Sequence, residues 1–333
     1  MRVFSHGKFV PAKGAQAPFA GIGKARIFEM LYIAQTALEL GFVYALIPMA
    51  LFLSYRVLDI ADLTTDGDFV LGMAVSVSLA AAGHPFLALP AAMIAGALAG
   101  FVTAFLQTRL GVPSILAGIV TNTGLYTVNL MVMGWSSNVN LLKQETIFSL
   151  FRGTGIGGAW YELIIVAVIT LLAAVILIWF LNTRIGLSIR ATGDNKDMVQ
   201  ASSINPGFTI SLGLMIANAL TALCGAVVGQ MQKSADINSG TGIVVVGLAC
   251  LIIGETVLGR KSIPRNVFAV IVGSVIYRFI YAIVLKTQIV PIECLKLVTA
   301  FIVGLAIAMP TIKGRYLLEK QKAAAKRRKG GLK

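Results

Sequence analysis

Polar breaks divide the chain into nine apolar runs, at residues 33–54, 69–82, 86–106, 113–133, 161–181, 208–231, 243–258, 267–285 and 295–309. A helix of about 20 apolar residues crosses the ~30 Å hydrocarbon layer and satisfies its own backbone groups on the way. The pattern therefore predicts an all-α polytopic membrane protein with about nine hydrophobic helices. The second and seventh runs are short for a full crossing and predict broken or partial spans. Together these runs form a transmembrane domain over residues 31–312. An N-terminal extension (1–30), interfacial or disordered, precedes it, and a basic tail (313–333) follows it.

Composition supports this class. Of 333 residues, 57% are hydrophobic and 13% charged, about half the charge of a soluble domain. A net charge of +14 could suggest nucleic acid, but its placement argues for a membrane. Residues 313–333 carry nine Lys and Arg against one acid, Glu319, which reads as a cytoplasmic C-terminus near anionic lipid. Arg260, Lys261 and Arg265 place the 259–265 loop on the same side. Counting back puts Arg109 and residues 182–206 inside, with 135–160 and 232–241 outside. The same count puts the N-terminus outside, against the charge of Arg2, Lys8, Lys13, Lys24 and Arg26. Cys224, Cys250 and Cys294 lie in apolar runs without metal-ligand spacing and read as small core residues.

Two polar stretches interrupt the apolar pattern. Residues 182–206 mix charges with Ile185, Leu187, Ile189, Met198 and Val199. Apolar side chains in an exposed loop suggest a docking surface for a soluble partner; an ordinary solvated loop is the plainer reading. Residues 55–72, YRVLDIADLTTDGDFVLG, set Arg56, Asp59, Asp62, Asp66 and Asp68 between a full span and a short one. Carboxylates at membrane depth face cavities or partners, and irregular polar backbone before a short helix resembles the broken helices of transporter sites. Asp59, Asp62 and Asp66 are expected in a non-helical connection beside the pathway. Arg56 is the nearest partner, and helix-start N–H groups are the next. A cytoplasmic loop in which Asp66 caps the following helix is the alternative.

Within the spans, Arg278 should face the bundle interior, with Glu255 a possible partner. Asn122, Tyr126 and Asn218 are candidates for a polar pathway. Such residues also bond helix to helix, and the pairs Gly96/Gly100 and Gly225/Gly229 read as close helix packing. No phosphate-cradling GxxxxGK[ST], HExxH or nucleophile elbow occurs. The chain is therefore not expected to be an enzyme, and neither a catalytic residue nor a metal site is assigned.

The stretches LSYRVLDIADLTTDGDFVLG, GLSIRATGDNKDMVQASSIN, LIIGETVLGR and SVIYRFI resemble the permease subunit of a bacterial ABC importer. The resemblance is to the branched-chain amino acid/ribose-type permease family. Within it, the branch encoded beside lipoproteins that bind aromatic amino acids or similar solutes is the most similar. Where that branch often has valine, proline or serine in the Asp motif, this chain has Thr65, Ala61 and Asp68. The resemblance spans about residues 38–312 and implies a multi-pass protein of the bacterial cytoplasmic membrane. Residues 182–206 would then hold a coupling helix seated on a cytoplasmic ABC ATPase. Leu187, Ile189 and Met198 would be its knobs, and Arg190, Asp194 and Lys196 would fix register. ATP and magnesium would reside on that ATPase, with no cofactor in this chain. A second permease copy, forming a homodimeric pore, would complete the pathway. An extracellular or periplasmic solute-binding lipoprotein would deliver an amino acid or related solute. The rival is an ion-coupled secondary transporter using the Asp59–Asp68 cluster.

Overall fold

A computed structural model describes residues 20–141, 144–153, 158–287 and a few positions between 297 and 308. The chain starts with α1 (Ala20–Tyr44) and α2 (Leu46–Leu51), which pass into a π-helical turn at Phe52–Val57. Residues 58–64 are not helical. Then come α3 (Thr65–Ala81), α4 (Pro85–Thr108), α5 (Ser114–Val132), strand β1 (Asn138–Asn140), α6 (Ile147–Gly153) and α7 (Tyr161–Leu181). The remainder is α8 (Arg184–Asp194), α9 (Lys196–Ala201), α10 (Pro206–Gln232), strand β2 (Ser234–Asp236), α11 (Ile243–Leu258) and α12 (Ile263–Thr287). Among the described residues, six helices are long and apolar enough to cross a membrane, and α11 is a shorter apolar one. The ninth predicted run, at 295–309, falls mostly outside the described residues, as do the basic tail and Cys294.

The bundle is assembled around α10, the most buried of the long helices, whereas α5 and α7 expose most of their surface, as peripheral spans do. Glycines set the close approaches. A Cβ at Gly72 or Gly96 would strike Ala222, and one at Gly225 would strike the carbonyl of Phe69. The small-residue pairs Gly96/Gly100 and Gly225/Gly229 therefore serve helix packing, with α3 and α4 both pressed on α10. Hydrogen bonds close one end of the bundle. There Gln230 accepts from Ile147 N at 3.0 Å and donates to Ser76 and Pro85. At the same end β1 pairs antiparallel with β2, Val139 opposite Ala235, a small sheet that hydropathy did not predict.

The other end carries α8, α9 and the 259–262 turn. Lys286 Nζ meets Met30 Sδ at 2.9 Å, so the start of the first span lies at the end opposite α8. Two helices begin inside the bundle rather than at its faces. Gly72 packs on Ala222, which lies about 24 Å along the ~40 Å α10 at 1.5 Å per residue. With 17 residues, α3 is about 25 Å long; it starts about 10 Å before that contact and runs to the end opposite α8. α11 starts beside Asp66 and runs the other way, bringing Glu255 to Arg56.

Candidate functional site

The start of α3 meets the start of α11 through Asp66. Its Oδ2 accepts from Gly242 N at 3.0 Å and its Oδ1 from Val244 N at 2.9 Å. The free N–H groups of a helix's first turn favour an anion, so Asp66 caps α11 from a different helix. Gly240 follows from the same closeness, since a Cβ there would strike the Asp66 carbonyl. Two expectations change. Asp66 lies in the first helical turn of α3 rather than in a non-helical connection, and it caps α11 rather than its own helix.

Beside this contact is a cavity of about 380 Å³, lined by Asp66, Asn122, Thr123, Tyr126, Asn238 and Thr241, among others. That volume suits a small solute. The cavity brings together Asp66, Asn122 and Tyr126 from the sequence-predicted set. Asn129, on the same helix, is buried and donates to Gly67 O at 3.0 Å. Thr123 and Tyr126 stay exposed half-way along α5. Polar groups at that depth are costly against lipid. Loop residues Asn238 and Thr241 were not predicted, because their place in the bundle depends on the capping of α11.

The other pathway candidates lie elsewhere. Asp62, buried and non-helical, accepts from Thr64 N at 2.9 Å and from Asn218 Nδ2 at 2.8 Å. Asn218 is thus a helix-to-helix group and does not line this cavity. Asp59 is exposed, with φ +56°, and lines a second cavity of about 390 Å³ near α8 with Gln107, Ser114, Lys196 and Pro206. Arg56 does not pair with the aspartates. It holds Glu255 with two bonds of 2.7 and 2.8 Å, and Arg260 joins the same carboxylate at 2.6 Å. Glu255 is therefore taken, and Arg278 instead sets its guanidinium 3.7 Å from the Tyr44 ring centroid, an inward cation–π contact.

Residues 182–206 fold into two helices because side chains cap their starts. Thr183 accepts from Gly186 N and Asn195 from Met198 N, and Asn205 accepts from Gly207 N to cap the following α10, each satisfying a first-turn donor. The inner face of α8 is seated on the bundle. A Cβ at Gly186 would strike Phe180 O and one at Gly193 would strike Val57 O. Ile189 lies between them on that face and is 0% exposed. It cannot be a docking knob, contrary to expectation: the helical period turns it onto its own bundle. Leu187 and Met198, 50% and 55% exposed, point away with Ile185. Asp194 and Lys196 are exposed beside them, and Arg190 is half-buried.

Comparison with known proteins gives a consistent picture. The family described as "Branched-chain amino acid transport system / permease component" matches residues 33–310. A tyrosine transport system permease protein of Clostridioides difficile (strain R20291) is 30% identical over 262 residues, 78% of this chain and 85% of that protein. An uncharacterized protein of Rickettsia prowazekii is 33% identical, covering 82% of this chain and 96% of its own length. The ribose import permease protein of Haemophilus influenzae is 26% identical over 66% of this chain and 67% of its own. No solved structure gives a significant match.

Proposed function

Because the chain belongs to the branched-chain amino acid transport system permease family, we propose that two copies of it form the pore of an ABC importer for an amino acid or related solute. The observation that carries this reading is the pair α8–α9, which presents Ile185, Leu187 and Met198 among charges at one end of the bundle. An apolar patch framed by charge is what a protein partner covers, and here that partner is a cytoplasmic ATPase. ATP and magnesium bind on the ATPase, which accounts for the missing phosphate loop. The end bearing α8 then faces the cytoplasm together with the C-terminus. The opposite end, with β1 and β2, receives solute from an external binding lipoprotein. Solute passes the polar cavity at Asp66, Asn122 and Tyr126, and Asp59 lies nearer the cytoplasmic exit. Solute class rests on similarity to a tyrosine permease and on a cavity of neutral polar groups with one carboxylate.

Mechanistically, nucleotide-driven closure of the ATPases moves α8–α9, and the pore changes which side it opens to. This is coupling between two sites through a two-state element. Reconstituting the chain in liposomes with its partner ATPase and solute-binding lipoprotein tests the reading. Uptake should require ATP and all three components. Uptake by the chain alone, driven by a sodium or proton gradient, would establish the secondary-transporter alternative instead.

A further inference from the structure

Polar groups buried in this bundle mostly find partners. Thr64 and Thr103 share a 2.8 Å contact between hydroxyls, and Gln230 makes three bonds. One junction is different. Asp68 is 0% exposed, and neither of its carboxylate oxygens has a hydrogen-bond partner. Asn218, 1% exposed, leaves its Oδ1 unpartnered.

Helix register puts these groups together. Gly72 of α3 packs on Ala222 of α10, and the two helices run in the same direction. Asp68 and Asn218 each sit four residues earlier, on the same facing stripes. Helical side chains lean toward the N-terminus of their helix, which directs both toward Asp62. Asp62 already takes the Asn218 amide N–H at 2.8 Å, and it is the charge that bears on Asp68. From the third side, α4 offers only Gly96 and Gly100 against Asn218.

The unpaired atoms of Asp68 and Asn218 are all oxygen acceptors, and the Thr121 hydroxyl of α5 is also buried without a partner. A buried carboxylate in that state is strongly disfavoured unless a proton neutralises it or a cation joins it. Arg56 is engaged by Glu255. Oxygen-only ligands do not select the softer transition metals, and two carboxylates with one amide fall short of a calcium cage. Magnesium retains several waters, for which helices held at glycine contact leave little room.

We propose that Asp62, Asp68 and Asn218 hold one dehydrated alkali cation at the junction of α3, α4 and α10, tying the start of α3 to α10. The site is separate from the solute cavity, and its test needs neither ATPase nor transport. The full chain in lipid nanodiscs is titrated with sodium or potassium chloride against N-methylglucamine chloride at constant ionic strength, and the thermal unfolding midpoint is read. The expected result is a saturable rise of several degrees with at least one alkali cation. Asp68→Asn should abolish the rise, while Asp59→Asn, an exposed control, should keep it. Asn218→Asp should lower the midpoint without cation and steepen the response. A wild-type midpoint indifferent to alkali cations, a response only to calcium, or an undiminished response in Asp68→Asn would overturn the proposal. So would stability that follows pH with no cation dependence, since a proton would then occupy the site. If neither junction variant folds, the wild-type titration decides.

Discussion

Replacing Asp66 tests whether the two interior helix starts depend on each other. The native carboxylate accepts two backbone N–H bonds, at 3.0 and 2.9 Å, from the first turn of α11. Hydrogen bonds to a charged group contribute about 1.5–3 kcal/mol each. Asp66 also borders a cavity, so solvent screening favours the low end of that range. Asp66→Ala removes both bonds and the charge opposite the helix start, and should cost about 3 kcal/mol. Asp66→Asn retains one acceptor and should cost roughly half as much. Equilibrium unfolding in mixed micelles gives the totals. Hydrogen exchange at Gly242 and Val244 supplies the local signature, since both amides should lose protection in the alanine variant and keep part of it in the asparagine variant. Solute uptake should fall in both, because Asn238 and Thr241 line the cavity from the loop that Asp66 secures. Wild-type stability of Asp66→Ala, with those amides still protected, would refute the capping argument.

Two further substitution pairs separate packing from docking. Ile189→Glu should destabilise the chain by more than about 3 kcal/mol, because an unpaired charge would enter the buried face of α8; Leu187→Glu should leave folding and insertion intact while abolishing ATPase coupling, as measured by solute-stimulated ATP hydrolysis. Gly225→Ala should cost about 1–3 kcal/mol through the collision with Phe69 O, whereas Gly124→Ala, with no atom near its Cβ position, should leave the unfolding midpoint near wild type.

Residue patterns revealed the spans because hydrocarbon leaves a helix no choice but to be apolar. They also marked the two places where the chain departs from plain spans, at 55–72 and 182–206. Partners were harder to read. Arg56 lies three residues from Asp59, yet its acid is Glu255, 199 positions away, and nothing local distinguishes the two. Ile189 looked like Leu187 in a list of apolar loop residues. A coupling helix was expected there, but its face was not: the spacing Gly186–Ile189–Gly193 marks one side of that helix and turns Ile189 inward. The role of Asp66 depended on α11 starting inside the bundle, which only the shortness of the seventh run suggested. Asn218 and Asn122 are the same residue type in similar apolar surroundings. Burial alone separates the helix-to-helix bond from the cavity wall.

The arrangement also bears on where movement of α8 would be felt. Residues 58–64 join the π-helical turn to α3, and their two ends are held differently. At the α3 end, Asp62 takes bonds from Thr64 and Asn218, Thr64 meets Thr103, and Leu63 lies against Gly118. That end is fixed to α4, α5 and α10 at once. At the other end, Val57 and Leu58 lie against Gly193 of α8. Between the two ends is Asp59, in the left-handed region at φ +56°, a conformation that costs a non-glycine residue about 1–2 kcal/mol. A shift of α8 is therefore felt first at Val57 and Leu58, the latter's N–H bonding back to Leu53 O at 3.1 Å, and then at Asp59, before it meets the side-chain bonds of Asp62 and Thr64. On the proposed function residues 58–60 are where that movement would be taken up, whereas α3, α4 and α10 meet at glycine contacts with no room for a Cβ. The cavity beside that segment is the one walled by Asp59, Ile60 and Lys196, whereas the Asp66 cavity lies beyond the anchored end. On the proposed function, gating would thus lie a few residues of chain away from solute contact.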